Sequence, residues 1–222
     1  MLVGKNVRED YIQTFCSSKP GKARVFLISI IIGALKHRGF RAVMLYRIGR
    51  FFQTRGHRIP AKMVKQLIPS LCFCVISMDA DIGPGFHIHL PFGLVVGGDI
   101  KAGKNFDIRL DSTFGGRRGW HRPDGSSFPR IGDNVTVAGG VRMLGPVDIG
   151  NNCIVGANSV VVSDVPSNCV VAGVPARIIK RNGQKVSMLE DKGELSDILR
   201  GLIERVEKLE EKLESHNPDR TG

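Results

Sequence analysis

The sequence predicts a mainly β protein: a parallel β-helix with a helical N-terminal leader and a C-terminal coiled-coil helix. Three observations support this prediction. Aliphatic or aromatic residues recur at every sixth position from residue 82 onward, a period that neither an α-helix nor a flat strand has. Apolar residues follow helical spacing before that point, and a heptad pattern runs through the last part of the chain. The 222 residues suffice for one core of ordinary size with appendages.

The segment before residue 76 divides into two parts. Residues 1–21 carry few structural signals, and we expect them to be loosely ordered. Residues 22–75 are predicted to form a helical, basic leader, in which FRAVMLYRIGRFF places apolar residues at helical spacing. Residues 1–65 hold fourteen Lys or Arg but only two acidic residues, so we expect an anionic partner for this end of the chain.

The apolar run VFLISIIIGAL, residues 25–35, is too short to cross a bilayer, which needs about 20 residues. Basic residues bracket the run, as they do in a helix that lies on a membrane surface. A buried helix is the alternative interpretation. The surface helix predicts a peripheral contact with the inner face of the membrane, to which each cation near the surface contributes about 1 kcal/mol.

The five cysteines, at positions 16, 72, 74, 153 and 169, form no CxxC pair. Their spacing argues against a disulfide framework and against a zinc site, so we expect no metal and a reducing compartment. The first residues contain no apolar stretch of the kind found in a signal peptide. A cytoplasmic location is therefore expected.

The period of six predicts a β-helix domain over residues 76–180. Each unit of six supplies one short strand and one corner, and three units complete a coil of about eighteen residues around a triangular core. We expect four to five coils between residues 76 and 173. Residues 115–130, rich in glycine and arginine, interrupt the pattern, which resumes one residue out of phase; this insert should loop out. The positions of the pattern are Ile82, Ile88, Leu94, Ile100, Phe106, Ile131, Val137, Met143, Ile149, Val155 and Val161.

Residues 190–215 are predicted to form the coiled-coil helix. Leucine and valine alternate there at spacings of four and three, and the remaining positions are almost wholly charged. A self-associating coiled coil would help to hold together an oligomer that forms elsewhere. A single amphipathic helix packed on its own domain remains the alternative.

The stretch 82–179 resembles the left-handed β-helix acyltransferases, and within them the serine acetyltransferase-like branch. The resemblance rests on IGPGFHIHLPFGLVVGG, STFGG, PRIGDNVTVAGGVRMLGPVDIGNNCIVGANSVVVSDVP and the terminal AGVPARII. The short leader is similar to that of members that act in surface-polysaccharide synthesis. The resemblance implies a homotrimer, acetyl-CoA bound in a groove between adjacent β-helices, and direct transfer of the acetyl group to an acceptor hydroxyl. No nucleic acid is expected as a partner.

The resemblance also implies which residues bind the coenzyme. Gly115 and Gly116 match the turn that approaches the thioester and the pantetheine arm. Gly139 and Ala157 match small residues that line the coenzyme groove, where a bulky side chain would block it. Arg177 and Lys180 stand where cations meet the coenzyme phosphates in similar proteins.

The catalytic histidines of the family do not transfer directly. Leu90 occupies the position of the main histidine, three residues before Gly93, and Phe128 occupies that of the second histidine, before Pro129. The upstream aspartate of the family falls near Val75. A histidine is suited to take the proton of an attacking alcohol.

We therefore name His89 as the candidate base, aided by His121, with His87 as a further candidate. Use of another group, or binding without catalysis, remains open.

We expect an acetyl-CoA-dependent O-acetyltransferase that acts on a hydroxyl of a sugar or of a polysaccharide precursor, including a lipid-linked one. The loop places Trp120 among Arg117, Arg118, His121 and Arg122, and this mixture suits a sugar, whose ring has an apolar face and hydroxyl edges. Two alternatives are a serine O-acetyltransferase of cysteine biosynthesis and a catalytically inactive trimeric scaffold.

Overall fold

The computed structural model of the chain describes residues 2–15 and 23–186. Four helices lie within these ranges: α1 (Leu2–Phe15), α2 (Ala23–Lys36), α3 (Arg38–Thr54) and α4 (Arg58–Cys72). None of the described helices has both the length and the apolar composition that a membrane crossing requires. The chain divides into two compact units after Gln184. The coiled-coil prediction for residues 190–215 falls outside the described residues.

The strands after the helices are short, and most contain two or three residues. They are β1 (Val75–Ile76), β2 (Asp81–Ile82), β3 (His87–Ile88), β4 (Val95–Val96), β5 (Lys101–Ala102), β6 (Asp107–Ile108), β7 (Thr113–Gly115), β8 (Arg130–Ile131), β9 (Thr136–Val137), β10 (Arg142–Leu144), β11 (Asp148–Ile149), β12 (Ile154–Val155), β13 (Val160–Val161), β14 (Cys169–Gly173), β15 (Ala176–Arg181) and β16 (Gln184–Lys185).

These strands form three sheets that are the faces of a prism. The first sheet has the order β1-β4-β7-β10-β13, the second β2-β5-β8-β11, and the third β3-β6-β9-β12-β14-β15-β16. Consecutive strands join the first, second and third sheets in rotation, and strands within each sheet pair in parallel up to β14. The chain therefore winds through five coils, in agreement with the predicted number, and the antiparallel pair β14–β15 ends the stack.

The core confirms the period of six, because all eleven residues of the predicted pattern are buried. The phase of the pattern differs from the prediction in one place. Val75 pairs with Val95, 20 positions on, whereas Val95 pairs with Thr113, 18 positions on. The two extra residues lie in the corner between β3 and β4, residues 89–94. The predicted loop lies between β7 and β8, where Thr113 pairs with Arg142, 29 positions on.

Residues 1–21 were expected to be loosely ordered, but Leu2–Phe15 forms α1. A buried ion pair explains the difference. Asp10 is fully buried, and Arg47 of α3 contacts it through Nε at 2.8 Å and Nη2 at 3.1 Å. The same guanidinium donates to the carbonyls of Ile82 and Gly83, while Asp10 accepts the N–H of Phe86 at 2.8 Å. One charged pair thus joins α1, α3 and the first coil.

Helix α3 lies directly on the first coil at the strand β3. A Cβ atom added to Gly39 would lie 1.8 Å from the carbonyl oxygen of Ile88, so no side chain fits between the two backbones. Tyr46 of the same helix is buried and donates to the carbonyl of Ala80 at 2.8 Å. The leader therefore supports the strand that carries His87.

We predict that Asp10→Ala lowers the free energy of unfolding by about 3–5 kcal/mol, because it leaves the Arg47 guanidinium buried without its counter-charge. Urea denaturation measures the loss. Glu9→Ala, which removes an exposed carboxylate one position earlier on α1, is the matched control and should change stability by less than about 0.5 kcal/mol. Equal losses in the two variants would show that the ion pair does not hold α1.

Candidate active site

Two histidines and one aspartate of adjacent coils form a cluster on the third sheet. His87 lies in β3 and Asp107 in β6, and the parallel register of these strands places the two residues directly opposite each other. Ile88 points into the core, so the residues before it and after it face outward. His89 is the first residue of the corner that follows β3.

One carboxylate contacts both imidazoles. Nδ1 of His87 lies 3.0 Å from Oδ1 of Asp107, and Nε2 of His89 lies 3.3 Å from the same oxygen and 3.4 Å from Oδ2. The two ring centroids are 4.2 Å apart. Because an ionised carboxylate only accepts hydrogen bonds, each nitrogen that faces it carries a proton. In neutral His89 the free lone pair is therefore on Nδ1, which can accept a proton from an acceptor hydroxyl.

Burial and the two histidines act in opposite directions on Asp107. Desolvation raises the pKa of its carboxyl group. The hydrogen bonds and charges of His87 and His89 together lower the pKa by more than that, so the net pKa lies below the usual value. The side chain of Asp107 is 17% exposed and that of His87 is 12% exposed, whereas that of His89 is 45% exposed. His89 is therefore the member of the cluster that a substrate can reach.

One corner of the prism joins the third sheet to the first, and we call it the histidine edge. It includes His89, Leu110 and two small residues, Gly139 and Ala157. A Cβ atom on Gly139 would meet Leu110 at 3.5 Å, and the N–H of Asn158 donates to the carbonyl of Gly139 at 2.9 Å. Ala157 is exposed one coil further on. Beyond the half-exposed side chain of Leu110, this edge therefore carries little side-chain bulk.

The two candidate cations lie in β15 at the end of the stack. Arg177 is opposite Ala172, which continues the histidine edge beyond Gly156 and Ala157. Lys180 is opposite Val170, in the outward row of the third sheet. Both side chains are exposed, so they can meet an anion at the end of the edge.

The remaining candidates lie along a different corner, between the first and second sheets. We call this corner the loop edge; it includes Gly98, Gly115, Gly116 and the loop 117–129. The ring of Phe128 covers Gly116, where a Cβ atom would lie 3.2 Å from the ring, and it leaves no room for a Cβ on Gly98. His121 is exposed in the loop, and its Nδ1 lies 2.9 Å from Oγ of Ser127.

The first sheet separates the two edges within one chain. Its strands begin at the histidine edge and end at the loop edge, so His89, Gly139 and Ala157 do not meet Gly115, Gly116 or His121. The structure therefore brings the sequence-predicted residues into two groups rather than one.

The positions of the family histidines hold apolar side chains that are partly exposed. Leu90 is 48% exposed beside His89, and Phe128 is half-buried against the glycines of the loop edge. Val75, in the place of the family aspartate, is 44% exposed. The cluster of His89, His87 and Asp107 therefore differs from the family arrangement of imidazole and carboxylate. Its exposed histidine lies one residue before Leu90, which stands in the place of the family histidine.

Asp107 is the residue of the candidate site that the sequence reasoning missed. It lies 20 positions after His87, whereas a regular coil of 18 residues would have placed Asn105 opposite His87. The signal that could have located it is the corner HLPFG, whose proline and glycine accommodate the two extra residues of the first coil.

Comparisons with known proteins identify the family of the coiled fold. Residues 128–163 match the family model "Bacterial transferase hexapeptide (six repeats)". The serine acetyltransferase of Synechococcus elongatus is 33% identical over 187 residues, which are 82% of this chain and 75% of that protein. The serine acetyltransferase of Brucella abortus in complex with coenzyme A has a TM-score of 0.68 and 27% identity, over 80% of this chain and 68% of that one.

A third relative, the Neisseria gonorrhoeae serine acetyltransferase in complex with serine, has a TM-score of 0.67 and 28% identity, over 80% of this chain and 69% of that one. These relatives support the serine alternative better than the sugar acceptor that we expected, and they give no support to the polysaccharide branch. The chain therefore belongs to the serine acetyltransferase family of hexapeptide-repeat transferases, shares their left-handed β-helix, and is an O-acetyltransferase that takes its acetyl group from acetyl-CoA.

Proposed function

We propose that this protein transfers the acetyl group of acetyl-CoA to the side-chain hydroxyl of serine, and that His89 is the general base. The cluster of His89, Asp107 and His87 carries this proposal, because it supplies an accessible imidazole with a fixed proton position. The relative with bound serine and the relative with bound coenzyme A support the choice of acceptor and donor.

The reaction needs one proton acceptor and one acyl donor. Nδ1 of His89 takes the proton of the hydroxyl while its oxygen attacks the thioester carbonyl carbon. The carbon–sulfur bond then breaks, and the leaving sulfur receives the proton, which gives O-acetylserine and coenzyme A. Asp107 holds the opposite nitrogen of the ring and stabilises the imidazolium that forms, as a carboxylate partner of histidine does in general.

The displacement of the base by one residue is compatible with this role. A shift of one residue within a strand turns the side chain to the opposite face. His89 lies in the corner after β3, where that alternation does not apply, and its ring still reaches Asp107. His89 can therefore serve an active site from the position one residue before Leu90, which stands in the place of the family histidine.

We further propose that the coenzyme lies along the histidine edge and that the functional unit is a homotrimer. Gly139 and Ala157 add little side-chain bulk to the edge beyond Leu110, and Arg177 offers a cation at its end. Gly115, Gly116 and His121 lie on the loop edge, so they reach this coenzyme only if a second copy of the chain apposes its loop edge. Assembly would then complete the site.

A sugar hydroxyl is the second candidate acceptor. The loop exposes 52% of Trp120, and the guanidinium of Arg117 lies 3.9 Å above its ring. An aromatic face beside hydrogen-bond donors suits the apolar face and hydroxyl edges of a sugar, as the sequence indicated. The changed positions Leu90 and Phe128 also leave the acceptor pocket different from that of the family pattern.

A peripheral membrane contact of the leader also remains a proposal. Helix α4 exposes Ile59 and Met63 on the side away from its buried Ile68, and α2 exposes Leu35. Arg58, Lys62 and Lys65 lie on α4, which has no acidic residue. This mixture of apolar side chains and cations is typical of helices that bind anionic membrane surfaces.

We predict that His89→Ala lowers kcat by about 10²- to 10⁴-fold with serine, because the base is removed. Release of the coenzyme A thiol measures the rate. His57→Ala, which removes an exposed histidine before α4, is the control and should retain full activity. Full activity of His89→Ala would exclude His89 as the base.

We predict that L-serine gives a higher kcat/KM than any member of a panel of nucleotide sugars, because the family relatives are serine enzymes. The same thiol-release assay compares the acceptors. A preference for a sugar, abolished by Trp120→Ala, would support the second candidate instead. Stabilisation by coenzyme A without turnover of any acceptor would indicate the inactive scaffold.

We predict that the protein co-floats with liposomes that contain anionic lipid and stays in solution with neutral liposomes, since the cations of the leader attract anionic headgroups. Ile59→Ser/Met63→Ser should lower the floated fraction. Lys104→Ser, on the β-helix, is the control. Equal recovery of all forms in the soluble fraction would end this proposal.

A further inference from the structure

We propose that His87, His89 and Asp107 also bind one divalent transition-metal ion of the Zn²⁺ class, and that the bound ion stops acetyl transfer. The inhibitory part rests on the proposed function, since the same histidine is the base. The ion is proposed as an inhibitor of the enzyme and not as a cofactor of the reaction.

The donor atoms have the chemistry and the spacing of such a site. Two imidazole nitrogens and a carboxylate oxygen are a common ligand set for Zn²⁺. Metal–ligand bonds of about 2.0–2.1 Å in tetrahedral geometry separate neighbouring donors by about 3.3 Å. Oδ1 of Asp107 lies 3.0 Å from Nδ1 of His87 and 3.3 Å from Nε2 of His89. The three ligand atoms all lie within 4.8 Å of one another.

The scaffold holds these atoms in place before any ion arrives. His87 and Asp107 lie in paired strands, and α3 packs on the backbone of β3 at Gly39, so the ligands lose little freedom on binding. The exposure of His89 leaves a coordination position for water or for a substrate atom. The ion would lie where the two ring nitrogens now face the carboxylate of Asp107.

The imidazole nitrogens decide which ions bind. Hard ions such as Mg²⁺ and Ca²⁺ prefer oxygen ligands, whereas imidazole suits Zn²⁺, Co²⁺, Ni²⁺ and Cu²⁺. The sequence argued against zinc from the spacing of the cysteines alone. The site proposed here uses no cysteine, and its aspartate comes from a different coil.

Metal binding removes the base by fixing the proton of His89. An ion on Nε2 of neutral His89 leaves the remaining ring proton on Nδ1, which is the atom that accepts the proton of the hydroxyl in the proposed reaction. The imidazole then has no free lone pair. Occupancy of the site and turnover should therefore exclude each other.

Co²⁺ tests the site through a readout other than activity. Chelator-treated full-length protein titrated with Co²⁺ should show visible ligand-field bands that saturate at one ion per chain. Loss of a residue that only hydrogen-bonds a metal ligand weakens metal binding by roughly 10- to 100-fold. His87→Ala and Asp107→Asn each remove a ligand and should weaken Co²⁺ binding by more than that. His57→Ala and Asp99→Asn, which change exposed residues elsewhere, should bind as the unchanged protein does. Absence of the bands, or equal bands in all variants, would overturn the metal site.

Turnover measured with Zn²⁺ tests the inhibitory part. Loss of thioester absorbance is the suitable assay, because Zn²⁺ binds the thiol product. The rate should fall as the site fills and return on addition of a chelator. Binding without inhibition would overturn the inhibitory part. If the protein binds Co²⁺ but, when freed of metal, does not acetylate serine, the proposed function is contradicted and the metal site stands. If it acetylates serine but does not bind Co²⁺, the proposed function stands and the metal site is contradicted.

Discussion

The parallel pairing between successive coils is the constraint on which the site depends. Most strands of the coils have only two or three residues, so single strand pairs are weak, and the stack is held by repetition along three sheets. The register of β3 with β6 fixes His87 against Asp107, and Ile88 against Ile108 in the core. A slip of one residue would bury the histidine and expose the isoleucine. The apolar core therefore determines which polar groups meet outside it.

The leader and the prism are coupled through the first coil. Arg47 contacts Asp10 and also the carbonyls of Ile82 and Gly83, which precede the strand that carries His87. The close approach at Gly39 adds a direct backbone contact to Ile88. A first coil has no preceding coil to pair with, and in this protein helices take that place. The position of the histidine cluster near the start of the stack thus makes it dependent on the leader.

The repeating part of the fold was predictable because an apolar residue at every sixth position marks the side chains that are buried. The loop between β7 and β8 was predictable too, because the pattern stops before this insert and resumes after it. Helix α1 was not predictable, because it is held by long-range contacts: the buried pair of Asp10 with Arg47, 37 positions away, and the packing of Tyr11 and Phe15 on Phe40. Periodicity records the average environment of a face and contains no information on one long-range ion pair.

The candidate site was predictable in its residues and not in its grouping. The resemblance assigned Gly115, Gly139 and Ala157, whereas His121 was named from the loop of this sequence. In the structure Gly139 and Ala157 share an edge with His89, and Gly115 and His121 lie across the first sheet. Asp107 was not named because the family aspartate was expected upstream, near Val75, whereas this carboxylate lies one coil downstream of the histidines. The corner at 89–94 lengthens the first coil, so the spacing between His87 and Asp107 is 20 and not 18. The sequence spacing of two residues that pair between neighbouring coils depends on the length of every corner that lies between them.

The same corner explains how the chain can lack imidazoles at two family positions and still place the proposed base beside a carboxylate. Residues in a strand of the prism have only two directions, into the core or away from it, and an exchange between neighbours changes the direction. A corner with two additional residues relaxes this restriction, so His89 can face Asp107 while Leu90 stands beside it. Because one carboxylate serves both imidazoles, the position of the ring protons is set by Asp107 rather than by the histidines themselves. The chemistry available at this edge is therefore decided by a residue of the next coil.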